Sequence, residues 1–155
     1  FNITIKEIPS YCVLSLRKEI PNYYYEGELW KELSAFAKEN KINISDETFS
    51  IYHNKEYKEK DVDVELCAIV NKIGKATGDF KFRFTEPVSM MACTMVYGDF
   101  SNISYAYRSF AKWLQENSQY KMKGSSRQIV HRGPWNEKNP ENYLTEIQIP
   151  LENLL

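Results

Sequence analysis

Apolar positions along the chain follow two periods, one typical of helices and one typical of strands. From Glu28 to Asn40 apolar residues recur at helical spacing with charged residues between them, which predicts a helix with one buried face. The stretch from Ile103 to Asn117 predicts a second amphipathic helix. Elsewhere apolar and polar residues alternate as in strands with one buried face. The predicted strand segments are Phe1–Arg17, Thr48–His53, Val62–Val70, Phe80–Tyr97, Arg127–His131 and Tyr143–Ile149.

The order of these elements occurs twice. Phe36–Asn40 in the first helix resembles Trp113–Asn117 in the second at an offset of 77 residues. Ile51–His53 resembles Ile129–His131 at an offset of 78, and a third pair of blocks, in the last predicted strand of each half, follows at an offset of 81. Three blocks in the same order at nearly one offset indicate an internal duplication.

This duplication predicts the fold class. Each copy reads as a β-α-β-β unit, so we expect an α+β fold with antiparallel sheets and two helices around a central groove. The length of 155 residues suits one domain over 1–155, with pseudo-repeats at 1–72 and 79–155.

Composition excludes several classes of function. The formal net charge of −1 and pI near 6.2 give no basic surface, so this chain itself is not expected to bind nucleic acid. No apolar run is long enough for a membrane span and no signal peptide opens the chain. Cys12, Cys67 and Cys93 are widely spaced in apolar runs, which favours reduced buried thiols over disulfides. We therefore expect a cytoplasmic protein without a membrane partner.

Motifs for catalysis or cofactor binding are absent from the sequence. It has no nucleophile elbow, phosphate-binding glycine loop or dinucleotide fingerprint, and its cysteines and histidines lack metal-ligand spacing. We predict no catalytic residues, no metal and no cofactor. His53 and His131 occupy equivalent repeat positions, which favours a role in holding turns. The aromatic content of 14%, with eleven tyrosines, fits either core packing or a pocket for flat ligands.

Sequence motifs over nearly the whole chain resemble one family. They are IKEIPSYCVLSLRKEIPNYY, GELWKELSAF, FSIYHNKEYKEKDVDVELC, MACTMVYGDFSNISYAYRSFAKWL and GPWNEKNPENYLTEIQIPL. Together they resemble the GyrI-like effector-binding domains, which form the C-terminal half of many AraC-class and MerR-class bacterial transcription regulators. The resemblance implies a small-molecule effector that is hydrophobic or aromatic and drug-like, cationic compounds included. It also implies DNA contact only through a helix-turn-helix domain not present in this chain, and it allows a homodimer.

The resemblance also implies a set of ligand-binding residues. The aromatic residues of the groove fall on Trp30, Phe49 and Tyr143. A buried carboxylate of multidrug-sensing members falls on Gln128, which carries no charge. This departure puts the preference for cations in doubt, and Glu146 is a candidate substitute.

Alternatives to this interpretation remain open. Glu146, and Glu65 at the equivalent repeat position, can instead be strand residues paired with a lysine or arginine. Some similar proteins hydrolyse strained small molecules with a Glu–Tyr pair, which Glu146 and Tyr143 could supply. Other stand-alone relatives bind proteins as inhibitors. Trp135, in a polar loop, either covers the groove or packs on the strands below it.

Overall fold

A computed structural model describes residues 1–56 and 58–155. The described chain forms two α-helices and nine strands, so the predicted α+β fold class is confirmed. In chain order the elements are β1 (Thr4–Ile8), β2 (Cys12–Ile20), α1 (Glu26–Glu39), β3 (Ile44–Tyr52), β4 (Val62–Val70), β5 (Phe80–Phe84), β6 (Val88–Tyr97), α2 (Ile103–Glu116), β7 (Tyr120–Met122), β8 (Ser126–Arg132) and β9 (Leu144–Asn153). Short 3₁₀ turns occupy Tyr23–Tyr25, Phe100–Asn102 and Pro140–Asn142.

The chain divides into two compact units. The first unit is Pro9–Pro87, and its strands pair in the order β3-β4-β2-β5. The second unit joins Phe1–Ile8 to Val88–Leu155 and pairs its strands in the order β1-β6-β9-β8, with β7 also on β9. These pairs are antiparallel. Thus β1, from the first predicted repeat, pairs with β6, while β5, from the second, pairs with β2.

Helix α1 covers one face of the first unit. Its residues Leu29, Leu33 and Ala37 are buried, as its helical spacing of apolar residues predicts. They belong to a hydrophobic cluster with buried side chains of β2 and β4, and Phe36 stacks on Phe80 of β5 with ring centroids 4.1 Å apart. Each fully buried leucine contributes about 1.5–3 kcal/mol of hydrophobic free energy, so this face anchors the helix.

Helix α2 has the same role in the second unit. Ala106 and Phe110 are buried against Ile147 and Ile149 of β9. The ring of Trp113 stacks between Phe110 and Tyr120, with centroid distances of 5.9 and 5.5 Å. Strand β7, which holds Tyr120, is absent from the sequence-based prediction because three residues are too few to show alternation.

The first helix begins earlier than its sequence pattern predicts. Its first residue is Glu26, whereas the apolar spacing predicts a start at Glu28. The 3₁₀ turn Tyr23–Tyr25 leads directly into the helix, and no side chain caps the helix start. The usual sequence signal for an N-terminus is therefore missing. The difference matters because it places the half-buried Glu26 in the first turn of the helix.

Candidate functional site

Strand β3 presents different side chains to its two faces. Ser50 and Tyr52 lie on the face that α1 covers, where Tyr52 is part of the hydrophobic cluster. Since side chains alternate along a strand, Phe49 points to the opposite face. Phe49 is 6% exposed and its ring centroid lies 5.9 Å from that of Tyr11. Trp30 packs against the cluster on the α1 face, so the structure separates these two predicted ligand-binding residues.

A half-buried carboxyl group lies on the α1 face. Glu26 accepts a hydrogen bond of 2.7 Å from the Tyr52 hydroxyl and one of 3.5 Å from Ser50 Oγ. Trp30 lies one helical turn further on, and its indole acts to lower the pKa of this carboxyl. Tyr23 packs edge-on against Tyr52, with ring centroids 5.8 Å apart. We call Glu26, Trp30, Ser50 and Tyr52 the Glu26 cluster.

The electrostatics of Glu26 are unusual for an acid near a protein surface. Burial raises the pKa of Glu26, and the interactions with Tyr52, Trp30 and Ser50 offset only part of that rise. Among residues 1–56 and 58–155, no lysine, arginine or histidine forms an ion pair with it. Sequence reasoning missed Glu26. Once the helix is known to begin at this residue, the i, i+4 spacing places Glu26 and Trp30 side by side on the helix surface.

The second unit has a neutral pair at the corresponding place. Gln128 Nε2 on β8 donates a 3.0 Å hydrogen bond to the Tyr107 hydroxyl on α2. At the offsets of the repeats, these two residues correspond to Ser50 and Trp30. The counterpart of Glu26, the first residue of the helix, is Ile103. The carboxyl group therefore belongs to one copy alone.

Glu146 lies on the opposite face of its sheet from Gln128. Gln128 pairs with Ile147, the neighbour of Glu146 on β9, so the two predicted site residues point to opposite sides. Glu146 is 3% exposed, and its oxygens contact His131 Nε2 at 2.9 Å, Lys6 Nζ at 3.0 Å and Gln148 Nε2 at 2.7 Å. Burial opposes ionisation, but hydrogen bonds from Gln148, His131 and Lys6 outweigh it and lower the pKa of Glu146.

Glu65 forms the equivalent cluster in the first unit. Its oxygens accept hydrogen bonds from His53 Nε2 at 2.8 Å and from Arg83 Nε and Nη2 at 2.8 and 2.9 Å. Burial opposes ionisation here too, but the hydrogen bonds from His53 and Arg83 lower the pKa of Glu65 to about 2. Both histidines thus bind a buried glutamate across the sheet, where the sequence pattern suggested turn-holding residues.

Two aromatic residues of the second unit lie in its loops. Tyr143 follows the turn Pro140–Asn142, its carbonyl oxygen accepts a 2.9 Å hydrogen bond from Gly98 N, and its ring centroid is 5.1 Å from that of Phe100. Trp135 is 64% exposed, with its ring edge over Gly133. The local packing supports the second of the two roles considered for Trp135, contact with the chain below it.

An open depression of about 430 Å³ lies elsewhere on the first unit, between the end of β2 and α1. It is bordered mainly by charged side chains, Lys18, Glu19, Glu28 and Glu32. Its lining includes Tyr25 but none of the predicted ligand-binding residues. This depression has the polarity of an ordinary solvated surface and lacks the apolar walls of a typical ligand pocket.

The fold belongs to a known class of domain. The chain is a member of the GyrI-like family, because the model of the GyrI-like small molecule binding domain matches residues 1–152. This confirms the family resemblance noted in the sequence. A search of curated proteins found no match.

Solved structures with the same fold include an isolated regulator domain. The chain is 29% identical to the EcmrR C-terminal domain, with a TM-score of 0.90, and the match covers 98% of each chain. It matches EcmrR in a DNA complex equally well, covering 98% of this chain and 57% of that one. The chain thus spans little more than half of the DNA-bound EcmrR chain and resembles the effector domains of MerR-family regulators.

More distant structures share the fold alone. A hydrolase from Listeria innocua is 11% identical with a TM-score of 0.70, over 97% of this chain and 91% of the hydrolase. SAV2435 bound to tetraphenylphosphonium is 9% identical with a TM-score of 0.63, over 99% of this chain and 96% of SAV2435. No helix in the described ranges has the length and apolar character needed to cross a membrane.

Proposed function

We propose that this chain is the effector-binding domain of a bacterial transcription regulator and that it binds a hydrophobic or aromatic small molecule. The observation that carries the proposal is the match to EcmrR, which covers 98% of its isolated C-terminal domain and 57% of its DNA-bound chain. DNA contact would come from a helix-turn-helix domain outside the 155 residues. The protein would act in the cytoplasm, and a homodimer fits this role.

The predicted ligand contacts divide into two groups. Trp30 of the first unit, and Gln128 and Tyr143 of the second, are proposed as ligand contacts of their own units, because each side chain is only half-buried. Phe49 and Glu146 lie buried on the opposite faces of their sheets. Their proposed part in the site is to hold the strands in place.

Binding must be converted into a signal. A ligand shifts a regulator between two arrangements only to the extent that it binds one of them more tightly than the other. The effector should therefore prefer the arrangement in which transcription is altered, and a ligand with equal affinity for both would have no effect.

Dye binding tests the proposal. Titration of a hydrophobic fluorescent dye should saturate, and Trp30→Ala and Tyr143→Ala should each weaken binding about tenfold, equivalent to about 1.4 kcal/mol. Tyr24→Ala is the matched control for Tyr143→Ala, because Tyr24 is 96% exposed and its substitution removes the same phenol ring. Unchanged affinity in both site variants, or equal loss in the control, would contradict the proposed contacts.

Binding is favoured over hydrolysis by the surroundings of Glu146. A good general base has a pKa near the working pH, whereas contacts of Glu146 with His131, Lys6 and Gln148 lower its pKa. Incubation with strained electrophiles separates the two functions. Recovery of unchanged compound after saturable binding supports the effector domain, and turnover abolished by Glu146→Gln would contradict it.

A further inference from the structure

The chain passes between its two units at two points, and a proline lies at each of them. The first unit begins at Pro9 and ends at Pro87, so both junctions fall beside a proline. The two prolines are 78 residues apart, which is an offset that also relates matched blocks of the repeats. Both are exposed and lie outside the strands. We call Pro9–Tyr11 and Thr85–Pro87 the connecting segments.

The connecting segments join strands that are paired on either side of them. On the side of the first unit, Cys12 pairs with Phe84 at the end of the β2–β5 ladder. Beyond the prolines, Ile8 pairs with Val88 at the end of the β1–β6 ladder. Each segment is three residues long, so strand pairing stops for three residues and then resumes. Both connections between the units are therefore short and begin and end in sheet.

Tyr11 and Thr85 hold the connecting segments together. Tyr11 N donates a 2.9 Å hydrogen bond to Thr85 Oγ1, and Thr85 N donates one of 2.8 Å to the Tyr11 carbonyl oxygen. Thr85 is 1% exposed, so water does not compete for these bonds. A proline has no amide hydrogen and cannot donate in the same way. The Thr85 hydroxyl thus takes the place of a backbone acceptor where the ladder is interrupted.

The connecting segments also contact other parts of the first unit. The ring centroid of Tyr11 lies 5.9 Å from that of Phe49 on β3. Glu86 accepts a 3.3 Å hydrogen bond from Arg83 Nη1, and Arg83 in turn binds the buried Glu65. A shift of these strands would therefore act on both connecting segments.

We propose that the connecting segments are the hinge of this domain, held by the Thr85 hydroxyl, and that effector binding changes the angle between the two units at this point. The inference rests on the proposed effector-binding function and assigns the place where binding is converted into movement. Hinges are short segments between rigid elements that take up a change in φ and ψ. Here sheet lies on both sides of each segment, and the prolines interrupt the ladder that would otherwise stiffen it.

Distances between spin labels test the hinge. A ketone-bearing unnatural residue replaces Lys38 of α1 and Lys112 of α2, which are exposed and lie in different units, and carries the labels. Saturating Nile red, a neutral hydrophobic dye, should shift the mean distance between the labels by at least about 2 Å. The control pair is Lys38 and Lys72, which are exposed residues of one unit and should keep their distance.

Two substitutions at one position test the role of the hydroxyl. Thr85→Val keeps the shape of the side chain and removes the acceptor of Tyr11 N, whereas Thr85→Ser keeps the hydroxyl. Without dye, the distribution of label distances should be about 2 Å wider in the valine variant and unchanged in the serine variant. A thermal melt establishes that each variant is folded. The wild-type measurement tests the hinge even if the valine variant does not fold.

Each result has one meaning. If Nile red binds and the label distance stays the same, the hinge is overturned while effector binding stands. An equal shift in the control pair also overturns it, because the change then lies inside the first unit. Equal widths for the valine, serine and wild-type chains would overturn the role of Thr85. If Nile red does not bind the wild-type chain, the proposed function fails and the hinge fails with it.

Discussion

The two units of this chain share one charged cluster and differ at another position. On the sheet face away from the helix, Glu65 and Glu146 each bind a histidine and a cation that correspond in the repeats. On the helix-covered face, Glu26 of the first unit faces donors from β3, whereas Ile103 of the second unit is apolar. Groups kept in both copies are those that the fold needs, and the group present in only one copy is the candidate for a specific function.

The shared clusters are themselves unequal. Arg83 donates hydrogen bonds to Glu65 from two nitrogens, whereas Lys6 contacts Glu146 through its single ammonium nitrogen and is 48% exposed. Both cations come from strands near the start of a predicted repeat, β1 and β5, and both strands pair with the other repeat. A two-pronged guanidinium–carboxylate contact is stronger than a single ammonium contact, so we expect the first unit to depend more on its cluster.

The largest expected effect is on stability. Glu65→Gln should lower the free energy of unfolding by about 4 kcal/mol, because it leaves the Arg83 guanidinium without its buried counter-charge. Glu146→Gln should cost roughly half as much, since Lys6 can turn to solvent. Urea denaturation of the two variants measures the difference. Equal losses would show that the two clusters contribute alike and that the difference in geometry has no energetic consequence.

A second expected effect is the dependence of stability on pH. The folded-state pKa of Glu65 is about 2, against 4.5 for an ordinary glutamate. A depressed pKa stabilises the fold fully above pH 4.5, and this contribution is lost as pH falls toward about 2. At about 1.4 kcal/mol per pKa unit, the loss amounts to about 3 kcal/mol.

Urea unfolding at a series of pH values from neutral to acid measures this dependence. The wild-type chain should lose stability through that window, and Glu65→Gln should show a shallower slope because the group that takes up the proton is gone. Glu28→Gln, which changes an exposed acid, is the control and should follow the wild-type slope. Parallel curves for Glu65→Gln and the wild-type chain would contradict the assigned pKa.

The sequence alone predicted the fold class because its signals are periodic and occur twice. Both helices show apolar residues at helical spacing, and matched blocks such as Ile51–His53 and Ile129–His131 indicate the duplication before any coordinates are known. The pairing of β1 with β6 could not be predicted in this way. Strand partners depend on contacts between distant residues, which local alternation does not specify.

The candidate site was less predictable, for two physical reasons. Whether Gln128 and Glu146 share a face depends on register, and a shift of one residue reverses every side chain of a strand. The observed register pairs Gln128 with Ile147 and so separates them. Glu26 was missed because no capping residue marks the start of the helix. The spacing of apolar residues was then the only sequence signal, and it placed the helix start at Glu28.

The smallest expected effect concerns Glu26, the helix-start acid whose counterpart in the second unit is Ile103. A carboxyl whose folded-state pKa is raised stabilises the fold at low pH and loses that contribution as pH rises through the raised value. At neutral pH, Glu26→Gln should therefore leave stability unchanged or raise it by up to about 1 kcal/mol, since a neutral amide costs less to bury and its oxygen can still accept from Tyr52. Thermal melts at acid and neutral pH test this expectation. Marked destabilisation at neutral pH would mean that Glu26 is needed for folding, and the contrast with Ile103 would then carry no functional meaning.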